Sequence, residues 1–185
     1  FGVCASFEGR MLLTKNMRTD LSEQFFMMKA KEIDFWGAGG CKGWYLDDAM
    51  NLIKNHSIPN EGDCPYKAQE TNCPSSAKGI HKISEWKRST DINTIKDALH
   101  KYGPVYVGFA VYADFMKYSS GHYEYKTGEL RGYHAVAIVG YDEKGWIVKN
   151  SWGTGWGENG YFRILYSQMT NQVQFATCHG GAYYI

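Results

Sequence analysis

What this chain lacks narrows it first. Its longest mainly apolar stretch, Val105 to Phe115, is interrupted by Gly108 and Asp114. A membrane-spanning helix needs about 20 consecutive apolar residues, so a span of that kind is excluded. The chain also lacks an excess of either charge. Twenty basic residues stand against nineteen acidic ones for a formal net charge of +1, with no long like-charge block. Nothing therefore recommends nucleic acid or an anionic membrane as a partner. Five cysteines, at 4, 41, 64, 73 and 178, include no C-x-x-C pair and show no metal-ligand spacing. The expectation is a protein with no metal and no cofactor. The opening residues, Phe1 to Glu8, have neither a basic region nor an apolar core and do not read as a signal peptide. No low-complexity linker divides the sequence.

What is present points to one globular body. Over 185 residues, hydrophobic side chains make up 44% and charged ones 21%, which is ordinary for a folded domain able to bury its own core. Aromatic residues reach 16%, and 21 glycines accompany them. That mixture suits a β-rich lobe with tight turns and an aromatic-walled cleft. The odd cysteine total leaves at least one thiol without a partner inside the chain. Cys64 and Cys73, separated by a short loop with Pro65 and Pro74 nearby, are compatible with a local disulfide. A disulfide implies an oxidising compartment.

Along the chain, the first third reads as helical. Phe1, Cys4, Ala5, Glu8, Met11 and Leu12 fall at helical spacing, all but Glu8 apolar, as though a buried helix had been cut near its start. Leu21-Ser22-Glu23-Gln24 opens a second helical segment running to about Ala30. A Gly-rich loop from Gly37 to Gly43 follows. A third helix then presents Leu46, Ala49, Met50, Leu52 and Ile53, fading near His56 before Pro59. From Asn60 to about Trp86 the pattern dissolves into loop chemistry. Asp91 to Tyr102 repeats apolar residues at Ile92, Ile95, Leu99 and Tyr102 and stops at Gly103-Pro104. Strands take over in Val105 to Val111, Ala135 to Tyr141, Trp146 to Lys149 and Tyr161 to Leu165. The expected class is α+β, one domain of two lobes, mainly helical over about 1–88 and mainly β over about 89–185, with a cleft between them.

Chemistry concentrates in the second lobe. His134 opens the run His134-Ala135-Val136-Ala137-Ile138-Val139 at the lip of a buried strand, where a polar side chain needs a partner. Sixteen residues on, Asn150 ends another apolar strand and leads into Ser151-Trp152-Gly153-Thr154-Gly155-Trp156-Gly157. Adjacent antiparallel strands would bring the amide against the imidazole. An amide oxygen accepts an imidazole N–H without adding the charge of a carboxylate and so fixes the tautomer. Trp152 would shield that bond from water. Read from periodicity alone, the same Trp/Gly loop is also ordinary turn chemistry between strands.

Taken in order, Leu21-Ser22-Glu23-Gln24, Gly40-Cys41-Lys42-Gly43, Cys64-Pro65-Tyr66, Gly103-Pro104-Val105, Asp114-Phe115, Tyr133-His134-Ala135-Val136 and the block from Lys149 to Ile164 resemble the landmarks of the papain-like cysteine peptidases. The resemblance covers essentially the whole chain. It implies the two-lobe fold of that family, a helical N-terminal lobe facing an antiparallel, barrel-like β lobe. It implies cleavage of a peptide or protein substrate, with His134 as general base and ion-pair partner, Asn150 orienting it and Trp152 covering both. Gly43 and Trp44 would border an extended substrate, beside a pocket formed by Tyr45, Leu46, Ala135 and Gly108, with Trp152 also among the substrate contacts.

Departures from the family pattern matter as much. The family's nucleophile lies in Gly-Ser-Cys-Trp-Ala-Phe. Gly2-Val3-Cys4-Ala5-Ser6-Phe7 matches it at three positions, but that register deletes nearly two turns of a buried helix. Setting Phe1 on the motif's Phe instead preserves the spacing to Ser22-Glu23-Gln24. The expectation is then a nucleophile and an oxyanion glutamine upstream of Phe1, with an incomplete N-terminus and a prodomain or separate N-terminal chain as partner. The alternative is a non-catalytic papain-fold protein. Lys29 stands where the family often has a cysteine, and Trp44 where it usually has a second glycine. Cys41 would lack its usual upstream partner. A lysosomal, vacuolar or secreted location follows from the resemblance.

Overall fold

The computed structural model describes residues 1–34 and 39–185; the first part of the Gly-rich loop, Gly37 and Ala38, lies outside the described residues. Four helices occupy Gly2–Lys15 (α1), Glu23–Ile33 (α2), Leu46–Asn55 (α3) and Ile92–Tyr102 (α4). Seven strands, Lys87–Ser89 (β1), Val105–Tyr112 (β2), His122–Tyr123 (β3), Leu130–Tyr141 (β4), Gly145–Lys149 (β5), Tyr161–Leu165 (β6) and Ala182–Tyr184 (β7), form one sheet in the order β1-β7-β2-β4-β5-β6-β3. The sheet stays open. Its strands pair antiparallel except at the edge, where the two-residue β3 runs parallel to β6, so the barrel-like closure expected from sequence is not reached.

Local chemistry explains the helix ends. Ser22 Oγ accepts from the Phe25 amide and caps α2, and the Asp91 carboxylate accepts from the Thr94 amide to cap α4. Gly103 and Pro104 end α4 as the sequence implies. In α1 the buried face differs from the expected one. Val3, Cys4, Phe7 and Met11 turn inward, whereas Phe1 and Leu12 are exposed. The helix is rotated toward the residues that meet the sheet, and Gly2 is the reason it can approach. A Cβ added there would lie 3.0 Å from backbone atoms of Ala135 and Val136.

Two apolar clusters hold the molecule together. One lies in the β half, where Phe109, Phe115, Trp146, Val148, Phe162 and Phe175 are buried. The other gathers α1, α2 and α3 and takes in Tyr106 and Tyr183 from the sheet. Strand β2 is buried on both faces for that reason. Val105, Val107, Phe109 and Val111 meet the β core, while Tyr106 joins the helical cluster and Gly108 faces Leu46 of α3.

Cys64 and Cys73 form the expected disulfide, with Cα atoms 5.3 Å apart and a sequence separation of 9. Closing a loop of about ten residues stabilises the fold by about 2–3 kcal/mol through the unfolded chain. Replacing both by serine should lower the unfolding free energy by that amount in a denaturant titration. An unchanged midpoint would show that the Pro-flanked loop is already ordered when unfolded.

Candidate active site

Strands β4 and β5 run antiparallel with Ala137 opposite Lys149, which carries His134 and Asn150 to the same end of the sheet. The two meet: His134 Nε2 lies 2.8 Å from Asn150 Oδ1. The same oxygen accepts the Ser151 backbone N–H at 2.8 Å. A backbone N–H can only donate, so the amide oxygen is fixed on that side. Nε2 is therefore the ring nitrogen that donates, and Nδ1 keeps its lone pair. The tautomer of His134 is set by the chain's own turn at Ser151. Asn150 Nδ2 is buried and has no partner among the described residues.

His134 is clamped as well as bonded. Trp152 stacks on it with ring centroids 4.9 Å apart and planes 24° from parallel, while Phe109 tilts against it at 5.9 Å. Trp152 is held in turn by Phe115 and Trp156. The indole thus covers one face of the histidine. Burial pushes the His134 pKa down. The Asn150 hydrogen bond partly opposes that.

A cleft of about 760 Å³ opens beside these residues, lined by His134, Ala135, Gly43, Tyr45 and Leu46, with Phe1 and Gly2 from the start of α1. Gly43 adopts φ 82° and ψ 176°, a backbone conformation that favours glycine. The space a Cβ would take there is empty. Trp44 also lines the cleft; its Nε1 donates to Asp34 Oδ1 at 3.2 Å, and its ring meets Phe26 edge-on. The expected pocket residues Tyr45, Leu46, Ala135 and Gly108 are brought together. Gly108 sits between Leu46 and the Cys178 thiol, its Cβ direction 3.1 Å from Cys178 Sγ and 3.2 Å from Leu46 Cδ1.

Sequence reading missed Cys178, His179 and Tyr133 at this pocket. His179 lies between Tyr45 and Tyr133, with ring centroids 6.3 Å and 5.0 Å away. Only the placement of β7 beside β2 puts the preceding segment there. No periodicity within Cys178 to Gly181 marks it.

The free thiols are placed elsewhere than a catalytic pair would need. Cys4 is buried in α1, and desolvation pushes its pKa up to about 12. Desolvation likewise pushes Cys178 up to about 11. Exposed Cys41 sits 3.6 Å from Met27 Sδ. Among the described residues, none of them hydrogen-bonds to the imidazole.

A family model described as papain family cysteine protease matches residues 1–180, and the chain belongs to that family. A cathepsin L-like proteinase of Fasciola hepatica is 35% identical over 175 residues, covering 89% of this chain and 52% of that protein. Among solved structures, bromelain protease from Ananas comosus in complex with the E64 inhibitor superposes with a TM-score of 0.80 at 29% identity, covering all of this chain and 86% of the other. A digestive procathepsin L 3 from the larval midgut of Tenebrio molitor gives a TM-score of 0.78 at 32% identity, covering 97% of this chain and 59% of that one. The fold is papain-like. The chain spans about half the length of the curated relatives it matches.

Proposed function

We propose that the complete protein is a cysteine peptidase in which His134 and Asn150 serve a thiol contributed from the N-terminal side of Phe1. The observation that carries this reading is the fixed tautomer of His134. Its Nε2 is committed to Asn150, and its basic Nδ1 is left for chemistry at a cleft that the start of α1 also lines. A thiol at the N-terminus of α1 meets unpaired backbone N–H groups and the positive end of the helix dipole, which lower its pKa. Transfer of its proton to His134 Nδ1 gives a thiolate and an imidazolium. The pair's attraction reverses the downward shift that burial alone imposes on the histidine.

In this reading the thiolate attacks the scissile carbonyl carbon, and the imidazolium gives its proton to the departing amine as the C–N bond breaks. Water, losing a proton to His134, then releases the acyl group and regenerates the thiol. The open side of Gly43 leaves its backbone free to pair with an extended substrate. Leu46, Ala135 and Gly108 supply an apolar pocket beside Tyr45. The chain then acts as one peptidase domain with lobes over about 1–88 and about 89–185, a division that the two apolar clusters support. The procathepsin likeness supports a prodomain as intramolecular partner. The Cys64–Cys73 bridge supports a lysosomal, vacuolar or secreted location, and no helix among the described residues is long and apolar enough to cross a membrane.

Asn150→Ala tests the assignment. It should lower kcat on the order of 10²-fold by releasing the ring from its productive orientation, with KM for a peptide substrate little changed. Wild-type kcat in a folded variant would remove Asn150 from the mechanism.

A further inference from the structure

The C-terminal end of α3 carries a feature unrelated to the cleft. Asn55, the last residue of that helix, is followed by His56 and Ser57, an Asn-x-Ser sequence with no proline at the middle position. Asn55 is exposed, and its side chain makes no hydrogen bond to the described residues, so modifying it disrupts no existing contact. His56 leaves the helix in an extended conformation, φ −122° and ψ 135°, and the chain turns away beyond it. The site lies nine residues from Leu46 at the cleft. At 1.5 Å per helical residue it stands about 13 Å along α3 from the substrate pocket.

Asp48, Asn51, Leu52 and Asn55 recur on one face of α3. With Trp44 and Ile33 they border a shallow groove of about 280 Å³ beside the amide, leaving room for a bulky polar group. The Cys64–Cys73 disulfide points to passage through an oxidising compartment, which is where such sequences are modified.

We infer that Asn55 is an acceptor for an N-linked oligosaccharide. The donor class is a lipid-linked pyrophosphoryl oligosaccharide. The Asn55 amide nitrogen forms a bond to the sugar's anomeric carbon as the bond from that carbon to the pyrophosphate oxygen breaks; the amide gives up one proton, and the lipid pyrophosphate leaves. The glycan then projects from the helical lobe at the end of α3 remote from the cleft. This rests on the secretory location proposed above and not on the peptidase chemistry, so loss of activity has no bearing on it.

The test sends the full-length protein into the secretory pathway of a eukaryotic host behind a secretion signal and maps the peptide containing Asn55 before and after peptide N-glycosidase F. The expected result is a glycopeptide that the enzyme converts to one deamidated at position 55. Modification should be lost in Ser57→Ala and kept in Ser57→Thr. Transfer takes place on the growing chain before folding, so the peptide reports even on a variant that misfolds. A bare Asn55 in protein whose Cys64–Cys73 bridge has formed would overturn the inference. Free thiols at both cysteines together with a bare Asn55 would overturn the site and the compartment at once.

Discussion

His134→Ala in the complete protein should lower kcat/KM on the order of 10⁴-fold, the upper range for loss of a positioned acid and base, while the protein stays folded. His134 contributes to the sheet mainly through its backbone pairing with Phe109, which alanine retains. What it removes is, among the described residues, the only side chain bonded to Asn150 Oδ1 and the ring stacked under Trp152. Progress curves with a fluorogenic peptide give the rate, and circular dichroism checks the fold. Retention of most activity would take the histidine out of the reaction.

Phe115→Ala should cost about 3–5 kcal/mol of stability, the range for an aromatic removed from a packed core. Phe115 is fully buried at the hub of the β core, with Phe109, Trp156 and Phe162 at ring distances of 5.1, 5.1 and 4.9 Å. Trp152 rests on it at 5.6 Å and is itself the cover of His134. The cavity should therefore loosen the site as well as the fold. Urea unfolding measures the first effect, and kcat in the surviving folded fraction the second. A cost below about 1 kcal/mol would mean that the neighbouring rings collapse into the space.

Where the sequence was most legible, each position had a local physical reason. Asp91 at the cap, four apolar residues at helical spacing and Gly103-Pro104 at the stop placed α4 within a residue. The alternating run from Tyr161 to Leu165 is β6 as read. The pairing of His134 with Asn150 was legible because His134 opens one apolar run and Asn150 follows the end of the next, and short connections make such strands neighbours. Less was legible where packing overrides pattern. The start of β4 at Leu130 was missed, since Gly132 interrupts the apolar run and only β2 alongside holds those residues extended. The short strands β1, β3 and β7 owe their existence to partners distant in sequence. His179 and Cys178 entered the pocket wall by the same route. The inward face of α1 depends on where the sheet lies, which spacing alone does not reveal.

The central claim is that the reactive thiol lies N-terminal to Phe1 and depends on His134. It is tested most directly by treating the full-length native protein at mildly acidic pH with a thiol-directed epoxide and mapping the label. An ordinary thiol stays protonated under those conditions, whereas one paired with an imidazolium is already ionised. The account predicts one rapidly modified cysteine on the N-terminal side of Phe1, absent from the His134→Ala protein, with Cys4, Cys41 and Cys178 unmodified. Rapid label on Cys4, or no labelled cysteine and a different residue at the upstream position, would contradict it, the second outcome making the chain a non-catalytic member of its family.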